Sequence, residues 1–252
     1  MTMRGRSMAV ACLIGCLLAA LVVASPAGYN EIVAPKEWGN TVITWTVLDS
    51  PDAAFALWWS GTGAWLADQG SEMTFNVTGV GEDIEGVLTL GNMTWSANDT
   101  FIAMDLALSV WGLTPWLPGL VVAVGVTNLD ELNATAYEAA ARVPGNFLNG
   151  TITSSYETVT VSEVAYDCLV FEYEQDPPVF GEPQITYLAY DTVTGVLVMA
   201  NTSFSFGTPY ILTLELDSIV IPMTPINGFQ VWVVLVGAGI VMIVAVIALR
   251  RR

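Results

Sequence analysis

The side chains able to do acid–base chemistry in this 252-residue chain are almost all carboxylates: 24 Asp and Glu stand against 7 Lys and Arg, with no histidine. Without histidine there is no Ser-His-Asp triad, no Cys-His pair and no imidazole metal site. A pair of carboxylates could still cleave a glycosidic bond, one as acid and the other as base or nucleophile. Glu82, Asp83, Glu85, Glu172 and Glu174 qualify by type. On a strand, Glu172 and Glu174 point the same way with Cα atoms about 7 Å apart. A solvated strand face gives the same pattern and is the preferred reading. Lys36 is the single lysine, and nothing pairs it with a serine. No loop carries the Asp-x-Asp-x-Asp-Gly pattern of a calcium site. Neither a catalytic residue, a metal site nor a cofactor is therefore expected.

Aromatic side chains offer binding chemistry instead. Eight tryptophans precede the C-terminal apolar segment: Trp38, Trp45, Trp58, Trp59, Trp65, Trp95, Trp111 and Trp116. Their faces can stack on sugars or line an apolar pocket. Core packing is the plainer reading for most of them. Trp58, Trp59, Trp111 and Trp116 are the candidates for a ligand cavity; Trp111 precedes the loop Thr114–Gly119, with prolines at 115 and 118, and Trp116 lies within it.

Charge placement narrows the partners. Arg4, Arg6, Arg250, Arg251 and Arg252 lie at the two ends. Lys36 and Arg142 alone share the middle with all 24 acids, a net of 2 − 24 = −22. Such a surface excludes a nucleic-acid binder, which must meet phosphates with bases.

The ends read as targeting and anchoring segments. Arg4 and Arg6, the apolar run Met8–Ala24 and the small residues Ala24, Ser25 and Ala27 form a secretory signal over 1–27, with cleavage after Ala24 or Ala27. The alternatives are an uncleaved signal anchor and lipidation at Cys16, where Leu13-Ile14-Gly15-Cys16 has the form of a bacterial lipobox. Val231–Leu249 is nineteen residues without a charge, and a helix of that length spans about 28 Å, close to a bilayer core. Phe229 and Trp232 lie at its outer end, and the three arginines at 250–252 place the C-terminus in the cytoplasm. The expected layout is a body over 28–221, a juxtamembrane stretch over 222–230, a transmembrane helix over 231–249 and a tail over 250–252. Leu106–Val126 also lacks charge, but its prolines and glycines favour two buried strands over a second span.

Sequons at Asn76, Asn92, Asn98, Asn133, Asn149 and Asn201 predict N-glycosylation in a secretory setting. Cys12 and Cys16 fall in the signal, which leaves Cys168 without a disulfide partner in the body. Its neighbours supply no base to activate it, so a buried structural thiol is expected.

These features need a scaffold to position them. Period-two alternation over Met73–Thr78, Ile102–Leu108, Leu169–Glu174 and Leu212–Asp217 predicts half-buried antiparallel strands. Further strands are expected at Thr41–Leu48, Gly86–Leu90, Leu120–Val126, Thr151–Val161, Ile185–Tyr190 and Gly195–Ala200, with a hairpin loop over Tyr190–Gly195. One helix is expected over Leu129–Arg142, capped by Asn128 and ended by Pro144-Gly145, and a shorter one within Asp52–Leu66. The fold class is mainly β (α+β): an antiparallel half-barrel or sandwich with one or two short helices, plus the C-terminal transmembrane helix.

The tail Pro225-Ile226-Asn227-Gly228-Phe229, its apolar helix and Arg250-Arg251-Arg252 resemble the sorting signals of archaeal cell-surface glycoproteins, in which a Pro-Gly-Phe tripeptide precedes the helix. Asn227 stands where that family has proline. The resemblance implies an archaeosortase that removes the helix and substitutes a lipid. Tyr187-Leu188-Ala189-Tyr190-Asp191 followed by Thr194-Gly195-Val196-Leu197 resembles hairpins of archaeal surface proteins and of half-barrel lipoprotein carriers, and transfers no functional residue. The expectation is a single-pass cell-surface glycoprotein with a non-catalytic structural or adhesive body, partnered by the membrane and by a surface-layer protein, glycan or lipid. The alternatives are a lipid- or glycan-binding module with a tryptophan-lined cavity and, third, a carboxylate-dependent glycoside hydrolase.

Overall fold

The computed structural model describes residues 28–56, 64–108, 116, 118–141, 150–176, 181–205 and 209–222. The expected signal over 1–27 and transmembrane helix over 231–249 lie outside them, and no helix among the described residues is long and apolar enough to cross a membrane.

The strands are β1 (Val42–Asp49), β2 (Phe55–Ala56), β3 (Ala64–Trp65), β4 (Glu72–Val80), β5 (Ile84–Leu90), β6 (Met93–Asn98), β7 (Gly150–Val161), β8 (Val164–Gln175), β9 (Ile185–Asp191), β10 (Leu197–Ser205) and β11 (Pro209–Val220). Two helices are described, α1 (Asp99–Asp105) and α2 (Val126–Ala141). Nine strands form one open antiparallel sheet in the order β6-β5-β4-β1-β11-β10-β9-β8-β7, and β2 pairs with β3 alone. The protein is thus mainly β with helices added, as its alternating segments predict. A sandwich would need a second large sheet; here α1, α2 and the described residues 106–108, 116 and 118–124 cover one face instead.

Alternation decides which side chains that inner face receives. Ile43, Trp45 and Val47 of β1, Met73, Phe75 and Val77 of β4, and Leu212, Leu214 and Leu216 of β11 are all buried. Register sets them beside one another, with Trp45 between Leu216 and Met73. The Trp45 Nε1–H donates to the Leu197 carbonyl at 2.7 Å, so the indole is buried without an orphan donor. Thr202 donates to the Ala107 carbonyl at 3.0 Å and Tyr210 to that of Leu106 at 2.8 Å. These bonds fasten the segment after α1 to the sheet.

Three expected elements differ. Ile102–Leu108 is the end of a helix, α1, followed by a turn, and not a strand. Ile102, Ala103, Met104, Asp105 and Leu106 are all buried, so the local alternation marks no wet face. Asn98 caps the helix, its side chain accepting from the Phe101 N–H at 2.9 Å. Leu120–Val126 is not a strand either. It makes one isolated bridge, Val121 to Val196, and is bounded by Gly119 and Gly125 in left-handed conformations (φ +89° and +95°). In place of the short helix within Asp52–Leu66, the described flanks pair as β2 and β3, and 57–63 lie outside the described residues. The long helix starts three residues before Leu129, directly after Gly125. Asn128 therefore lies inside the first turn, where its Nδ2 donates to the Val124 carbonyl at 2.6 Å instead of capping.

Candidate functional site

An open cleft of about 480 Å³ lies where α1 and α2 begin, and Tyr29, Glu82, Asp83, Trp116, Asn128 and Glu131 are among its lining residues. It is built from turns that meet at one end of the sheet. Asp83, in the β4–β5 turn, accepts the Ile84 N–H at 2.8 Å with one oxygen and the Thr100 N–H at 3.3 Å with the other. The next residue of the cap, Asp99, reaches across 21 and 22 positions of sequence. Its two oxygens accept the Leu120 N–H at 2.5 Å and the Val121 N–H at 2.9 Å, with only 1% of the residue exposed.

Gly119 makes that approach possible. Its φ is +89°, and a Cβ placed there would lie 2.4 Å from an Asp99 carboxylate oxygen. Its carbonyl accepts the buried Tyr190 hydroxyl at 2.8 Å. Leu197 N–H donates to the Leu120 carbonyl at 2.9 Å, and Val122 N–H to that of Gly195 at 2.8 Å. The 119–122 segment is thus clamped between α1 and the β9–β10 hairpin, which fixes Trp116 and Pro118 at the cleft wall.

Burial pushes the Asp99 carboxyl well above the ordinary carboxylate range, and the Asp83 charge adds to this; the two backbone N–H donors pull the other way. The Tyr29 hydroxyl is raised by burial, then by Asp99 and Asp83. Among the described residues no basic side chain lines the cleft. Carboxylates on the rim and aromatic rings on the wall can accept hydroxyl hydrogens and stack on a sugar face, or hold a cation. Among the described residues no three acidic or thiol side chains converge as a metal site.

Of the four candidate tryptophans, Trp116 lines this cleft. It is 6% exposed, its ring centroid 4.7 Å from that of Phe171. Trp58, Trp59 and Trp111 lie outside the described residues. Trp45, Trp65 and Trp95 are buried in the core, and Trp38 is exposed.

The candidate carboxylates separate into two places. Glu82 and Asp83 line the cleft. Glu85 is exposed on β5 opposite Asn98. Glu172 and Glu174 are exposed on β8, six strand positions from β5, facing Thr153 and Thr151 of β7. They line a shallow depression of about 300 Å³ with Tyr187. Lys36 donates to the Glu31 carbonyl at 2.5 Å. Cys168 is buried, and burial, then the Asp191 charge, push its thiol up to about 12.

Sequence reasoning passed over Asp99, Glu131 and Tyr29. The triplet Asn98-Asp99-Thr100 carries a readable cap signal, and its use as a sequon hid it. Of the sequon asparagines, Asn92 and Asn201 are exposed, Asn76, Asn98 and Asn133 half-buried, and Asn149 outside the described residues. The chain matches no protein family, no curated protein and no solved structure.

Proposed function

We propose that the chain is a single-pass, membrane-anchored cell-surface glycoprotein whose β-rich body is structural or adhesive and non-catalytic. The observation that carries this reading is the two-sidedness of the nine-stranded sheet. Its inner face is filled by the core and the helices. On its outer face stand Glu72, Thr74 and Asn76 of β4, Thr94 and Ser96 of β6, and Asn201 of β10, while Cys168 and Val170 of β8 and Ala189 of β9 are buried on that same face. The polar stretch of that face over β4 and β6, with the acceptor asparagines Asn76 and Asn201, suits a coat or an adhesive surface. The signal over 1–27, the apolar stretch over 231–249 and the terminal arginines support an outward-facing body with a cytoplasmic C-terminus.

Protein extracted from its native membranes and mapped by peptide mass spectrometry is expected to carry glycan at Asn201, and beads coated with it to aggregate. Bare sequons together with dispersed beads would remove this reading. The cleft supports a second one, a glycan- or lipid-headgroup-binding module, because Trp116 and Tyr29 stand there beside Glu82 and Glu131. Native mass spectrometry separates the two: a glycan or lipid retained on the wild type and lost in Glu131→Gln favours the module.

A further inference from the structure

Solvent-exposed apolar residues collect at one end of the sheet, and it is the end from which the chain leaves for 223–252. Register defines that end: Val42, where β1 starts, pairs with Val220, where β11 stops. Val220 is 58% exposed and Ile221 42%. Trp38 is 42% exposed, and its Nε1–H donates to the Pro222 carbonyl at 2.9 Å, which pins the indole against the exit. The tip of the β9–β10 hairpin reaches the same level, because β10 runs antiparallel to β11 with Met199 opposite Glu215. Val193 at that tip is 63% exposed, and its carbonyl accepts from Asn30 Nδ2 at 2.7 Å. Val126, at the start of α2, is 78% exposed. It follows Val124, whose N–H donates to the Gly28 carbonyl at 2.9 Å.

These side chains gain nothing from water, and apolar residues gathered at one end mark a contact surface more than scattered ones do. Their charge environment selects the partner. Glu37 and Asp217 are exposed nearby, and Lys36, the one base there, is engaged with the Glu31 carbonyl. An anionic surface would be repelled; a neutral apolar–polar interface would not. The chain supplies that interface itself. Between Pro222 and the uncharged run that begins at Val231 lie eight residues, 223–230, which reach at most about 28 Å when fully extended. The exit strand, β11, is the fifth of nine in the sheet, so this tether holds the middle of the base and not a corner.

We infer that the base formed by Trp38, Val126, Val193, Val220 and Ile221 seats on the outer leaflet of the bilayer, with the sheet standing away from it. Tryptophan and short aliphatic side chains are suited to the interfacial layer. The tether makes the contact effectively intramolecular, so a patch too weak to bind vesicles alone is held in place. The cleft beside α1 and α2 is built at this same end and opens next to the headgroups. The inference rests on 231–249 being the anchor.

The test uses the full chain carrying Cys12→Ala and Cys16→Ala in phosphatidylcholine vesicles, with nitroxide labels at Val193→Cys, Ile185→Cys and Ile240→Cys introduced singly. Cys168 is buried with its thiol pushed up, and stays unlabelled in the folded protein. Ile185 starts β9 at the opposite end of the sheet and serves as the aqueous reference. The expected result is a several-fold higher oxygen-to-nickel collision ratio at position 193 than at 185, with position 240 higher still. A high ratio at 240 with equal, aqueous values at 193 and 185 would overturn the seating and leave the anchor standing. An aqueous value at 240 would overturn the anchor, and the seating with it.

Discussion

Asp99 is a carboxyl group sealed beneath the cleft, and its environment has a consequence for pH. Burial raises its folded-state proton affinity above that of the exposed side chain, whose ordinary value is 3.8. Between 3.8 and the raised folded value the folded state holds a proton that the unfolded state has released. Stability then falls as pH rises through that window, and the loss is complete above the folded pKa. Asp99→Asn removes the titration but offers only one acceptor to two N–H donors, so it costs about 1–3 kcal/mol. Melting curves from pH 4 upward are expected to slope downward for the wild type relative to Asp99→Asn; parallel curves would contradict the buried, titrating carboxyl. Cys168 makes a simpler prediction. With its thiol raised to about 12 and its surface covered, it is expected to react with a disulfide reagent at pH 8 only as fast as the protein opens. Denaturant should accelerate the reaction by orders of magnitude.

At the scale of elements, strands such as β4 and β11 are legible from two-residue alternation because one side of each lies in the core and the other does not, whereas β8 and β9 are buried on both sides at their centres. β4, β8 and β11 fall where alternation puts them, β9 falls on the further strand expected at Ile185–Tyr190, and β6 has no clear pattern. Ile102–Leu108 reads as a strand for the converse reason: a stretch in which every residue is buried offers no contrast between faces. The cap of α1 is the better signal, and it can be tested apart from glycosylation. Asn98 caps through its Oδ1, whereas a glycan takes Nδ2. Asn98→Ala is expected to lower stability by about 1 kcal/mol, whereas Thr100→Ala removes the sequon alone and leaves the cap. Equal denaturation midpoints for the two variants, both made without glycan, would sink the capping role. Gly119→Ala places a Cβ in the left-handed region, which costs about 1–2 kcal/mol, and drives it against Asp99. The expected loss is therefore larger than that of the cap.

For the whole molecule, the proposed anchor over 231–249 is the deciding feature. Retention of the apolar stretch 231–249 and its exchange for a lipid predict different masses. The intact mature mass is expected to include Val231–Arg252, and a mass that ends before Val231 would establish processing instead. The interior ranks the two site readings less sharply. Among the described residues four tryptophans are buried, and one of these, Trp116, also faces the cleft. Core packing and a binding surface are not exclusive uses of the same indole.

By itself the sequence determined the class of the body, the place of most strands, the isolation of Cys168 and the apolar and charged character of both ends. Each of these depends on residues within a few positions of one another, where backbone periodicity and hydropathy act directly. Only the tertiary structure decided that Asp99 meets Leu120 and Val121, that Glu82 and Asp83 stand apart from Glu172 and Glu174, and that Trp38, Val193 and Val220 share one end. Those relations are set by strand order and register. A chain whose first strand is inserted between its fourth and its eleventh does not write that order into any local pattern, because it follows from the burial of all nine strands at once.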